Sequence, residues 1–166
     1  TLTGIDRRAL NLIGAAVGMD FGNTRISSTN IIDVAQGGTV ISLNGQIAVQ
    51  DFLLTRAGQS TPRLELASAY GLTVDVAKSA ATIQKLTLDG TQNGRAILDS
   101  SLSKQMTFSW GNTAAGEEAT FRLILTNLNL AEWKPFLAGA VSSGTVSANL
   151  TVVSREGGRT LALDLA

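Results

Sequence analysis

Residues 119–166 read ATFRLILTNLNLAEWKPFLAGAVSSGTVSANLTVVSREGGRTLALDLA, and this stretch decides the fold. Phe121, Leu123 and Leu125 fall on one side, with Arg122 and Thr126 on the other. Successive strand side chains point to opposite faces, so this is a strand with one dry and one wet face. Leu128 and Leu130 continue it after a shift of register. Asn129 and Glu132 have the spacing of a helix cap, so a short helical turn is expected over 131–137, and Pro135 keeps it short. Gly144 opens a second strand through Val146, Ala148, Leu150 and Val152. Residues 154–158 turn it back, and Leu161, Leu163 and Leu165 form the return strand. The stretch reads as one unit of a long sheet with an apolar inner face, and it contains no catalytic motif.

The bulk composition agrees. A chain of 166 residues fits one domain, 1–166. Aromatic residues make up 5% and charged residues 16%, so the apolar mass is aliphatic and the polar mass is mostly Ser, Thr, Asn and Gln. Such a mixture suits strands with polar outer faces. The formal charge is zero, from 13 basic and 13 acidic residues, and the basic ones are scattered. Nucleic-acid binding needs a clustered basic footprint and is not expected.

Outward from the closing stretch, the same alternation recurs. Thr39, Ile41, Leu43, Gly45, Ile47, Val49 and Leu53 line one face of a long strand, with Ser42, Asn44, Gln46 and Gln50 opposite. Gly45 interrupts the dry face and marks a bend or bulge. Before it, residues 24–29 and then Ile31, Ile32 and Val34 lead to a turn at Gly37 and Gly38. After it come short strands around Leu64 and Leu66, around Leu72, Val74 and Val76, and around Ile83, Leu86 and Leu88. Asp89-Gly90 and Asn93-Gly94 both read as turns. Ala96 and Leu98, then Leu102, Met106 and Phe108, lead to a polar loop over 112–118. At the other end, Ile5, Ala9, Leu12, Ile13 and Ala16 repeat at three and four, predicting an amphipathic helix within residues 1–17 that packs on the edge or end of the sheet. A weak internal repeat is also visible. Gly38-Thr39-Val40 and Gly144-Thr145-Val146 open long strands, which lead to Arg-x-Gly turns at 56–58 and 155–157.

Chemistry is mostly excluded. The chain has neither cysteine nor histidine, which removes disulfides, thiolate catalysis, Ser-His-Asp triads and the usual zinc sites. Asp89, Asn93 and Gly94 fit three positions of a calcium loop, but Ser100 stands where a bidentate Glu belongs, so a hairpin is the better reading. Ser101 and Lys104 have SxxK spacing on a segment that reads as strand or loop, without companion elements. Thr1 as an N-terminal nucleophile and Asn149 as a glycosylation acceptor carry little weight. No enzyme, metal or cofactor is called for. A carboxylate-pair enzyme is the weakest alternative, since the acids are dispersed. No apolar run reaches the roughly 20 residues of a spanning helix. Beginning at Thr1 and ending at Ala166 in mid-strand, the chain reads as a piece of a longer protein.

Residues 125–152, pairing LTNLNLAEWKPFL with GTVSANLTV, resemble the repeating units of AsmA-like and TamB-like bacterial envelope proteins. The Gly4-Ile5-Asp6 lead into the helix is similar to theirs. The resemblance implies a mainly β fold, a long curved antiparallel sheet forming a groove. A closed sandwich is the other outcome for the same strands. It implies a periplasmic segment of a protein anchored to a membrane elsewhere, with lipid acyl chains as partners, alongside other envelope proteins or flanking repeats of the same chain. The function implied is phospholipid transport or outer-membrane assembly. The groove-facing residues expected are Ile41, Leu43, Ile47, Val49, Leu123, Leu125, Leu150 and Val152. The alternative is a structural or interaction β-sandwich module of a secreted or surface assembly.

Overall fold

The computed structural model describes residues 2–5, 7–110, 117–137 and 143–166, without the side chains of 2–4. The alternating segments all become strands. In chain order they are β1 (Leu2–Ile5), β2 (Met19–Asp20), β3 (Arg25–Ala35), β4 (Val40–Phe52), β5 (Thr55–Arg56), β6 (Gln59–Ser60) and β7 (Leu64–Asp75). There follow β8 (Ala80–Gln92), β9 (Arg95–Leu102), β10 (Met106–Ser109), β11 (Ala119–Asn129), β12 (Thr145–Arg155) and β13 (Thr160–Leu165). The one α-helix among the described residues, α1, spans Arg7–Ala15.

Ten strands form one sheet in the order β1-β3-β4-β7-β8-β9-β11-β12-β13, with β10 beside β8. Every neighbouring pair is antiparallel. From β3 onward the sheet is a meander, each strand pairing with the next long strand in sequence. The sheet stays open and does not close into a barrel. β2, β5 and β6 make a small separate sheet at one end.

Several local expectations change. Residues 2–5 pair with β3 as a strand, so the helix is shorter than the periodicity suggested. Its orientation is also reversed. Gly14 is buried against β2, where an added Cβ would lie 2.5 Å from the Met19 carbonyl oxygen. Asn11 beside it accepts from the Phe21 N–H at 2.7 Å and donates to Asp20 at 3.1 Å. The close approach and these polar contacts fix the inward side, which leaves Leu12 81% and Ile13 72% exposed. Residues 64–75 form one strand instead of two, and Asp89-Gly90 lies inside β8 while Asn93-Gly94 makes the turn. Gly45 sits in unbroken register between β3 and β7; the bulge in β4 falls at Asp51 instead, between Val49 and Phe52, with φ +52°. What Gly45 provides is room. A Cβ there would lie 2.7 Å from the Tyr70 ring, whose hydroxyl crosses it to donate to Asn30.

The register shift expected after Leu125 is present, a bulge with Asn127 at φ +52°. The helical turn is a short 3-10 segment, Leu130–Trp133, capped by Asn129, which accepts from the Ala131 N–H. The polar loop falls largely on residues outside those described. The repeat takes a different form from the one expected. The Arg56 turn belongs to the small β5–β6 hairpin, whereas Gln36–Gly38 and Glu156–Gly158 are the equivalent pair. Each runs three successive residues at positive φ before a right-handed residue, Thr39 or Arg159. Two adjacent glycines make this conformation accessible.

Candidate functional site

Residues directly opposite in antiparallel strands share a face, so the register settles which side chains lie together. Ile41 faces Val34 and Val74, Leu43 faces Ile32 and Leu72, and Val49 faces Ile26 and Leu66. From β7 the same face continues through Ile83, Leu86 and Leu88 on β8, and through Met106 and Phe108 on β10. It passes to Leu98 and Leu102 on β9, then to Phe121, Leu123 and Leu125 on β11. Leu150 and Val152 on β12 face Leu165 and Leu163 on β13. All eight residues expected to line a groove, Ile41, Leu43, Ile47, Val49, Leu123, Leu125, Leu150 and Val152, therefore sit on one face of one sheet. The other face carries Ser42, Thr73, Thr82, Thr107, Arg122, Thr151 and Asp164.

Among the described residues, no second layer covers the apolar face. The described hydrophobic residues that are buried number three, Ile97, Met106 and Ala119. The accessible surface is 10028 Å². A compact monomer of 17.3 kDa would expose roughly 7,800 Å². The excess, about 2,200 Å² on that scaling, is the signature of an uncovered sheet. Exposure rises toward the edges, with Ile32 and Val34 on β3 and Leu163 and Leu165 on β13 the most open.

The face is interrupted by polar groups, among them the buried Ser100 and Ser154, and most densely near β3. Ser28, Asn30 and Ser68, with the Tyr70 hydroxyl, form a patch around Gly45 and Ile47. Composition gave no hint of this patch; it arises because β3 and β7, on either side of β4, place their polar exceptions at matching register.

The end of the sheet near α1 is held by a polar clasp that sequence reasoning missed. The Glu132 carboxylate accepts from Gln92 Nε2 at 2.6 Å, Asn93 Nδ2 at 2.6 Å, Arg95 at 2.5 Å and Asn129 Nδ2 at 3.0 Å. These donors, led by the fully buried Gln92, hold its carboxyl below the ordinary glutamate range. The Asn93 N–H donates to the Arg63 carbonyl, and Asn93 Oδ1 accepts from the Arg63 N–H; Arg63 in turn pairs with Asp51 at 3.3 Å, as does Arg25. The clasp thus runs from the β11 turn to the start of β3. The Asn129–Glu132 spacing was legible as a cap, but its partners come from the β8–β9 hairpin some forty positions away.

Among the described residues, the motifs weighed for chemistry do not assemble a reaction centre. Lys104 pairs with Glu117, and Ser101 faces Arg122 on the strand ladder, so the SxxK spacing builds no nucleophile. The calcium-loop residues form the β8–β9 hairpin. No group of three or more potential metal ligands occurs among the described residues. A hollow of about 280 Å³ on the polar face lies over Ala48, Ala67 and Ala69, edged by Ser27, Thr29 and Asp89. Tyr70 lies on β7, Trp133 closes the 3-10 segment and Trp110 follows β10, so the three share no element. No described helix is long and apolar enough to cross a membrane. Comparison with protein-family models, curated proteins and solved structures finds no match.

Proposed function

We propose that the open apolar face receives lipid acyl chains. In this reading the chain is a non-catalytic lipid-binding sheet of the AsmA-like type, serving phospholipid transport or outer-membrane assembly in a bacterial periplasm. One observation carries the reading: aliphatic side chains from β3 to β13 share a face that no other described element covers. An aliphatic face must be covered by something, and the aliphatic lining has no ordered set of charges to select a headgroup. Strands of 11–13 residues span roughly 36–43 Å, enough to lie along an extended tail.

The test is native mass spectrometry of the purified protein, with titration of a fluorescent fatty acid. Co-purifying lipid and saturable uptake are expected. Leu43→Gln and Leu123→Gln, at half-buried positions, should weaken uptake several-fold while the circular dichroism stays unchanged. A lipid-free protein with no uptake overturns the proposal. The polar patch around Asn30 and Tyr70 favours a second reading, an interaction module whose face stacks on another protein. That reading gains if uptake is absent and an equimolar protein complex protects Leu43 and Leu123 from hydrogen exchange.

A further inference from the structure

Polar side chains on the apolar face differ in how they are used. Ser100 accepts from the Leu88 N–H and so belongs to the ladder itself. The patch over Gly45 and Ile47 is built differently. Asn30 Nδ2 donates to Ser28 Oγ at 2.8 Å, and the Tyr70 hydroxyl donates to Asn30 Oδ1. Tyr70 reaches Asn30 across β4 because Gly45, between them, has no side chain. The Ser68 hydroxyl has no hydrogen-bond partner among the described residues. Ser28, Asn30 and Tyr70 carry four side-chain donor hydrogens and use two of them on each other, whichever way the amide is turned. With the Ser68 hydroxyl, three donors remain open to the space above the face.

We propose that this patch seats the acyl-ester carbonyls of a lipid, an inference that rests on the reading of the face as a bed for acyl chains. The patch offers donors, and ester carbonyl oxygens accept without donating. Left under an aliphatic chain with no acceptor, each of those donors would carry a desolvation cost. The dimensions fit. Ser28 and Asn30 lie two residues apart on β3, as Ser68 and Tyr70 do on β7, and β4 alone separates the two strands. The field therefore measures roughly 7 by 10 Å, room for two esters on neighbouring carbons of one glycerol. The flanking rows are apolar and uncharged, Ile32, Leu43 and Leu72 on one side and Ile26, Val49 and Leu66 on the other. A phosphate would find no cation in these rows, so the face reads the ester linkage and not the headgroup. On β8 the neighbours of Tyr70 and Ser68 are Leu86 and Leu88, so the tails leave the patch across the leucines of the adjoining strands. A protein sheet stacked here would hold its backbone carbonyls about 10 Å away, out of reach of these donors.

The test is displacement of a fluorescent-tailed phosphatidylcholine by two phosphatidylcholines of equal chain length, one with ester-linked and one with ether-linked chains. The ether lipid keeps headgroup and tails and lacks the carbonyls. The wild type should bind the ester lipid roughly fivefold more tightly or better, as one net hydrogen bond provides. The double variant Asn30→Leu with Ser68→Ala should cut that preference below about twofold while its affinity for the ether lipid holds or rises. Ser27→Ala, on the polar face of the same strand, should leave the preference intact. Circular dichroism reports that each variant keeps the sheet. Equal affinity of the wild type for the two lipids, or a preference that the double variant retains, overturns the inference and leaves acyl-chain binding standing. Binding of neither lipid overturns the acyl-chain reading and the inference with it.

Discussion

Replacing Glu132 by Gln tests whether the polar clasp holds the sheet end together. The substitution keeps the shape and exchanges one accepting oxygen for an amide that donates. Every recorded partner of Glu132 is itself a donor, so the new amide faces a donor wherever it turns. The Arg95 pair contributes little, because that side chain is 58% exposed. The weight falls on Gln92, whose amide is buried and otherwise reaches only the Asn129 carbonyl, at 3.4 Å. Losing one charge-assisted hydrogen bond and leaving that amide short of a partner should cost about 2–3 kcal/mol. For a chain of this size that corresponds to a fall in Tm of roughly 5–10 °C. Differential scanning calorimetry at pH 7 reads it directly. A Glu132→Gln protein melting within about 1 °C of wild type would refute the assignment of the clasp as a structural tie.

Other expectations follow from the same geometry. The depressed Glu132 carboxyl makes a contribution fully present above its ordinary value of 4.5 and lost as pH falls through the lower folded-state value. The wild-type advantage over Glu132→Gln in urea melts should therefore shrink below about pH 4.5. Gly45→Val forces a side chain into the Tyr70 ring and should destabilise by about 2–3 kcal/mol, partly restored by Tyr70→Ala in a double-mutant cycle. Gly158→Ala places a methyl group against Phe108 at a φ of +84°. It should cost about 1–3 kcal/mol and raise exchange rates selectively in the β12–β13 hairpin. Arg155→Ala breaks a pair in which both side chains are about half exposed, and the midpoint of chemical denaturation should stay where it is in the wild type.

The strands were legible because alternation is a local signal. Residues 39–53 and 119–130 are strands in the structure within a residue or two of their sequence boundaries. The common face was legible for the same reason. Each residue named as groove-facing was chosen by period two, and antiparallel register then aligned them without further information. What failed depended on partners remote in sequence. The α1 periodicity marked an apolar side, yet Gly14 and Asn11 supply the contacts that orient the helix. Asp89-Gly90 has turn chemistry, but pairing of Asp89 with Ala67 and of Gly90 with Leu66 keeps it in the strand. The Glu132 clasp depends on Gln92, Asn93 and Arg95, whose spacing in sequence resembles any polar hairpin. The open state of the sheet was not legible either, since stacking and solvent exposure use the same alternation.

The meander order has a consequence for how the molecule comes apart. Because each long strand touches the next in sequence, the sheet behaves as a nearly one-dimensional array, with stability shared between adjacent units. Such an array can unzip from its ends without losing its middle. Amide protection should be lowest in β13 and β1, then rise inward to β7 and β8, whose mutual register is the longest in the sheet. A pull on either edge would be met strand by strand, and the apolar face would narrow in steps while the remaining strands stayed in register.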